Sequence, residues 1–336
     1  MDKKSPIRVG IMSFAHIHAV SYARCLLELP EVEFVGIADD DPVRAKKMGK
    51  QFKVKVFPKY EDMLASDIDA VIVCSENINH RRHVVMAAQS EKHAMCEKPL
   101  ATNRQDAEAI IEVSKRSNTK LQIAFPCRYH SAFKRLKQVV DSGQLGNILA
   151  IKATNQGVFP GGWFADKALA GGGAVMDHTV HVLDMMRCLT KSEVSRVYAE
   201  ISNQMYGGEV DDTGIISVDF TNGAFATIDC SWSLPKSSPF WGNVKMEITG
   251  TAGTARMDMF AQKIDFISDK AGKLTYEYWG DDTDLAMVKA FVRSIADDVP
   301  VDITGDDGLK ALEVALAAYE SDDTGRAVEF EHHHHH

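Results

Sequence analysis

The first third of this chain alternates short apolar runs with longer amphipathic stretches, and that rhythm restricts its possible folds more than any other feature. The runs at Ile7 to Met12, Glu33 to Ala38, Ala70 to Ser75, His93 to Cys96 and Leu121 to Phe125 read as strands. Between them, Pro42 to Phe52, Ile78 to Glu91 and Asn103 to Ser117 carry the longer apolar period of helices. Strands spaced this way pair in parallel through helical crossovers, which predicts a doubly wound α/β sheet. After residue 126 the pattern changes. A helix is expected over Ser131 to Asp141, and another follows the glycines at 171 to 173. Long alternating stretches come next, with hairpin signals at Asn222-Gly223 and at Gly250 to Gly253. Helices at Leu285 to Ala296 and Asp306 to Tyr319 close the chain. The reading is a first domain over 1–126 and an α+β domain over 127–330 with a large, mostly antiparallel open sheet. Residues 331–336, ending in His332 to His336, read as an expression tag.

Composition narrows the class of partner. A formal net charge of -9 argues against a nucleic-acid or anionic-membrane surface, which would need clustered Lys and Arg. The six cysteines are scattered without a C-x-x-C pair, so neither a zinc site nor a disulfide framework is indicated, and a reducing, cytoplasmic setting fits. No apolar run is long enough to predict a membrane span.

The segment from Gly171 to Asp184 opens with three glycines and places Asp177, His181 and Asp184 at i, i+4 and i+7, on one face of a helix. A carboxylate beside an imidazole can move protons; the plainer reading is a solvated stripe. His178 adds an Asp-His-x-x-His cluster whose spacing could serve a transition metal, but it lies about 60° round the helix from His181, so convergence needs a distant ligand. A substrate contact is the simpler role for His178.

In a doubly wound sheet the ligand sits at the carboxyl ends of the strands. After the first strand comes Gly10-Ile11-Met12-Ser13-Phe14-Ala15-His16. Set against G-x-G-x-x-G, it keeps Gly10 at the first position and puts Met12 and Ala15 at the second and third, leaving Ser13, Phe14 and His16 as replacement contacts. Asp39 ends the second strand, where a carboxylate accepts from the ribose hydroxyls of NAD and repels the extra phosphate of NADP. It could instead cap the helix beginning at Pro42, a role that Asp40 or Asp41 would serve equally well. Ser75, Asn77 and His80 follow one later strand and Glu97-Lys98-Pro99 the next.

Glu97-Lys98-Pro99, followed by the Gly171 to Asp184 segment, resembles the Gfo/Idh/MocA family of oxidoreductases. The resemblance extends to Arg128-Tyr129, Asp141 to Gly146, Gly250 to Thr254, Tyr319-Glu320-Ser321 and Thr324-Gly325-Arg326. It implies a Rossmann domain, a C-terminal domain whose open sheet serves oligomerisation as a homodimer or homotetramer, and NAD(P)-dependent chemistry on a sugar, inositol or related polyol. It also implies a catalytic trio of Lys98, Asp177 and His181. Oxidising an alcohol sends a hydride to the cofactor and a proton to a base. His181 is assigned as that base and Lys98 as the group holding the reacting oxygen, roles that could exchange. Gly10, Ser13, Phe14, Ala15, His16, Asp39, Ser75, Asn77, His80, Glu97 and Lys98 are expected at the cofactor, with NAD favoured over NADP. Arg128, Tyr129, Trp163 and His178 are expected at the substrate, with the aromatic loop 157–164 as a cover. Trp232, Trp241 and Trp279 read as sheet or interface packing. Rival readings are an NAD-assisted enzyme without net redox, a metal-dependent enzyme using Asp177, His178 and His181, and a ligand sensor that has lost the cofactor.

Overall fold

The computed structural model describes residues 4–331. Contacts divide it into two units: residues up to Pro126 together with Asp282–Leu309, and Cys127–Asp281 together with the residues from Lys310 onward.

The first unit runs β1 (Ile7–Met12), α1 (His18–Glu28), β2 (Val32–Ala38), α2 (Pro42–Phe52), β3 (Lys55–Val56), α3 (Tyr60–Leu64), β4 (Ala70–Val73), α4 (His80–Gln89), β5 (His93–Cys96), α5 (Arg104–Arg116) and β6 (Leu121–Ile123). Its six strands lie in the order β3-β2-β1-β4-β5-β6, and every pairing is parallel. The order reverses between β1 and β4, which places the ligand crevice of this sheet at the carboxyl ends of those two strands. Val9, Ile11, Ile37, Ile72 and Met95 are wholly buried, as continuous apolar strands covered on both faces must be. Helix α1 escapes the sequence reading because Ile17 caps it without a side-chain hydrogen bond, so no polar start signal marks it.

The second unit contains α6 (Ser131–Asp141), β7 (Ile148–Thr154), α7 (Lys167–Ala170), α8 (Ala174–Thr190), β8 (Val194–Ser202), β9 (Thr213–Phe220), β10 (Phe225–Asp229), β11 (Lys245–Gly250), β12 (Thr254–Asp258), β13 (Lys263–Ser268) and β14 (Lys273–Tyr278). Helices α9 (Thr283–Ala296) and α10 (Gly305–Thr324) and strand β15 (Val328–Glu329) complete the chain. The second sheet has the order β12-β11-β7-β10-β9-β8-β15 and is antiparallel except for the β7–β10 pair. Its strands alternate along most of their length. Val197, Ala199, Ile216, Val218, Ala226 and Ile228 point to the side that α8 packs against, and Tyr198, Ile215 and Phe225 point outward. Strands β13 and β14 form a separate hairpin.

The continuous 127–330 domain expected from the sequence is corrected by α9, which belongs to the first unit. It packs on α1 and β1, and the Gln122 side-chain amide donates to the Met287 carbonyl at 3.1 Å. An amphipathic pattern shows that a helix has an apolar face, not which sheet will cover it.

Candidate active site

In the first unit the loop after β1 departs from the sequence reading. Gly10 lies inside the strand, where a Cβ would meet the Met63 sulfur at 2.7 Å, and Met12 is the strand's last, fully buried residue. Gly10 is therefore a packing residue of β1 and not the opening of a phosphate loop. The turn begins at Ser13, whose φ of 74° is the left-handed conformation normally left to glycine. Counting from there, the G-x-G-x-x-G spacing falls on Ser13, Ala15 and His18, so no glycine remains in the loop.

Hydrogen bonds replace glycine's freedom. The Ser13 hydroxyl accepts from the Ala15 amide at 3.1 Å, the His16 amide donates to the Cys74 carbonyl at 2.9 Å, and His16 Nδ1 accepts from the His18 amide at 3.1 Å. His16 Nε2 faces the Glu97 carboxylate at 4.0 Å. Phe14 is buried beside Phe52 with ring centroids 6.1 Å apart.

Asp39 does not stand open at the end of β2. Its Oδ2 accepts from the Phe14 amide at 2.7 Å and Arg44 Nε at 2.8 Å, and its Oδ1 accepts from Arg44 Nη2 at 2.6 Å and the Asp41 amide at 2.9 Å. A carboxylate has about four acceptor positions, and all are used. This corrects both expectations for Asp39: it anchors the loop and Arg44, while Asp41 caps α2 by accepting from the Val43 and Arg44 amides.

Glu97 ends wholly buried after β5. It accepts from the Tyr22 hydroxyl, from His18 Nδ1 at 2.9 Å and from the Lys98 amide at 3.0 Å. Burial alone would raise its carboxyl; His16, His18 and Lys98 outweigh that and hold it well below the usual carboxylate range. Burial would lower His18, but Glu97 prevails and raises it. Lys98 is only 3% exposed, so it is no solvated lysine. Ser75 is buried with its hydroxyl 2.8 Å from His83 Nδ1, and Asn77 is buried next to it. His80 is corrected from a cofactor contact to a brace, because its ring nitrogens face the Pro99 carbonyl at 2.8 Å and the Ser75 carbonyl at 3.1 Å and burial lowers its pKa.

In the second unit Asp177 and His181 are both half-buried on α8. Asp177 Oδ2 accepts from Trp232 Nε1 at 3.1 Å and lies 3.3 Å from His178 Nε2. The other His178 nitrogen meets the Cys230 carbonyl at 3.0 Å. Both nitrogens of His178 are thus committed to protein partners, which corrects its reading as a substrate contact and removes the ligand that the metal reading required. Asp184 is corrected from a member of a solvated stripe: it is buried and holds Arg128 through Nε at 2.7 Å and Nη2 at 2.6 Å, a bidentate fork. Tyr129 lies beneath the Lys134 ammonium, 5.9 Å from its ring centroid. In the aromatic loop Trp163 stacks on Phe164 at 3.9 Å, and Phe159 stacks on Tyr206 at 4.2 Å. Phe159 also meets Trp232 edge-on at 5.5 Å, and Phe164 packs on the same buried cluster. Trp232 is therefore buried packing, as read, whose indole also holds Asp177. Its place just past the end of β10 was the available signal.

A doubly wound sheet with its polar cluster at the switch point, joined in one chain to a helix bearing Asp and His, is the arrangement of a known group of enzymes. Residues 7–125 match the oxidoreductase family with an NAD-binding Rossmann fold, and residues 133–256 match the GFO/IDH/MocA C-terminal domain. The chain belongs to the GFO/IDH/MocA family. It is 28% identical to the uncharacterized oxidoreductase YrbE of Bacillus subtilis (strain 168), over 96% of both chains. It is also 28% identical to the myo-inositol 2-dehydrogenase of Thermotoga maritima, over 97% of this chain and 99% of that one. In fold it is similar to scyllo-inositol dehydrogenase from Lactobacillus casei with bound NAD(H) and scyllo-inositol (TM-score 0.83, 24% identity, 97% of this chain and 99% of that one). The protein is an oxidoreductase with an NAD-binding Rossmann domain.

The described residues fit that cofactor. The left-handed turn at Ser13 sets the small Ala15 at the switch point, and Glu97 and Lys98 stand at the end of β5. No helix of the described residues is long and apolar enough to cross a membrane.

Proposed function

We propose that this protein is a cytoplasmic dehydrogenase that oxidises a secondary hydroxyl of a neutral sugar, inositol or related polyol, with Lys98, Asp177 and His181 as its catalytic residues. Bound NAD would supply the hydride acceptor. His181 takes the hydroxyl proton in oxidation and returns it in reduction, and Lys98 holds the reacting oxygen by a charged hydrogen bond. Asp177, fixed by the Trp232 indole, orients the substrate hydroxyls.

The observation that carries the substrate class is the Arg128–Asp184 pair. Arg128 is the cation expected at the substrate, and its guanidinium is neutralised by a buried carboxylate. A sugar acid or sugar phosphate would have to compete with that buried carboxylate for the guanidinium. The half-buried Trp163 and Phe164 offer the flat apolar faces that sugar rings stack on. NAD preference over NADP rests on charge: Asp39, Asp41 and Glu76 face Arg44, and Asp40 holds Arg82 at 3.1 Å, so acids outnumber cations where a 2′-phosphate would lie. The outward Tyr198, Ile215 and Phe225, each 40–55% exposed, support assembly of copies through the second sheet as a homodimer or homotetramer.

The test is a titration with NADH and NADPH followed by a turnover screen on myo-inositol, scyllo-inositol and methyl glucosides. NADH should bind more tightly than NADPH, and at least one polyol should reduce NAD. Lys98→Ala and His181→Ala should each lower kcat by roughly 10²–10⁴ while NADH affinity holds. Binding of neither dinucleotide would leave the fold serving as a sensor, and unchanged turnover in both variants would remove the assigned chemistry.

A further inference from the structure

The start of α8 is held by two side chains from outside the helix. An α-helix leaves its first four amides without internal partners. Here the Gly173 amide donates to Asp211 Oδ1 at 2.9 Å and to the Tyr319 hydroxyl at 3.1 Å. Ala174 donates to the Asp211 carbonyl at 3.0 Å, Val175 to Asp211 Oδ2 at 2.9 Å and Met176 to the Tyr319 hydroxyl at 3.1 Å. The Tyr319 hydroxyl donates in turn to Asp211 Oδ1 at 2.7 Å. Burial and the Asp211 carboxylate push the Tyr319 pKa far up, so that the hydroxyl keeps the proton it donates. The glycines allow this approach, since a Cβ at Gly172 would strike the Tyr319 hydroxyl and one at Gly173 the Asp211 carbonyl. The carboxylate also suits the positive end of the helix.

The clamp reaches the reacting groups by two routes. Asp177 and His181 follow on the clamped helix itself. Asp212, next to Asp211, accepts through its carbonyl from the Trp232 amide at 2.7 Å, and the Trp232 indole holds Asp177. Tyr319 is itself anchored within α10: Ser321 accepts from the Ala199 amide at 3.0 Å and Asp322 from the Ile201 amide at 2.9 Å.

We propose that Tyr319 and Asp211 are positioning residues that set where Asp177 and His181 present themselves to the substrate, an assignment that rests on the dehydrogenase reading above. The test is Tyr319→Phe, which keeps the ring and removes the hydroxyl. Turnover is measured on whichever of myo-inositol, scyllo-inositol and the methyl glucosides wild type oxidises, and is expressed per NADH-binding site so that unfolded protein does not count. Misplaced reacting groups should lower kcat per site by roughly 10- to 100-fold with NADH affinity within about twofold. The deuterium isotope effect on kcat, with the carbinol carbon labelled, should be at least as large as in wild type. A kcat per site within about twofold of wild type would overturn the assignment and leave the dehydrogenase reading standing. Wild type oxidising none of the polyols would overturn both. Should Tyr319→Phe not fold, Asp211→Asn is held to the same criteria, since it keeps the shape of the side chain while losing its charge and one acceptor.

Discussion

The starts of α1 and α8 pose the same problem with opposite solutions. Both helices are unmarked by a side-chain cap of their own. At α1 the glycine positions are taken by Ser13, Ala15 and His18, and a short internal network holds the loop. At α8 Gly172 and Gly173 remain, because Tyr319 and Asp211 come so near that a single methyl group would collide. Glycine is replaceable where it only supplies backbone freedom, which hydrogen bonds can offset, and irreplaceable where it makes room for another part of the protein.

The strongest way to break this comparison is Gly173→Ala. The added methyl would displace Asp211 and with it the partner of three amides, so a loss of about 3 kcal/mol or more is expected, read as a fall in the urea midpoint. A loss under about 1 kcal/mol would show that the close approach relaxes cheaply.

Acid sharpens the comparison at intermediate size. In the first unit burial lowers His80 and His93 and pushes His83 down to about 3. A histidine whose folded pKa lies below its unfolded value of about 6.5 binds its proton only on unfolding, so stability is lost as pH falls below 6.5, by up to about 1.4 kcal/mol per pH unit per group. His18 opposes this, since its raised pKa contributes stability that is full at low pH and fades as pH rises through that value. Glu97, held low, loses its contribution only at still lower pH. In the second unit burial lowers His130. Between pH 7 and 5, amide exchange in α4 should therefore accelerate before exchange in α8. The reverse order would place the acid-sensitive groups elsewhere.

The smallest effect is expected from Ser13→Gly. Glycine relieves the left-handed strain but gives up the Ser13–Ala15 hydrogen bond, so stability should stay level or rise by up to about 1 kcal/mol in the same urea assay. A loss would mean that the hydroxyl matters more than the turn.

Much of the fold was legible in the periodicity, because β1, α2, β5 and α6 each follow a pattern set by which face is buried. The family was legible in Glu97-Lys98-Pro99 and the glycine-led helix, local segments that keep their order along the chain. Partners were not legible. The sequence pointed to Asp39 as a ribose reader, to His178 and Arg128 as substrate contacts and to Trp232 as packing. Only the folded chain shows Arg44 filling Asp39, Asp184 holding Arg128, and Trp232 turned onto Asp177. Sequence by itself determined which elements form and which side chains carry charge, since burial periodicity and residue chemistry are local properties. Tertiary structure alone decided which of those charges are already paired, because a hydrogen bond between residues 108 positions apart, as in Tyr319 and Asp211, depends on where the chain returns and leaves no trace in its local pattern.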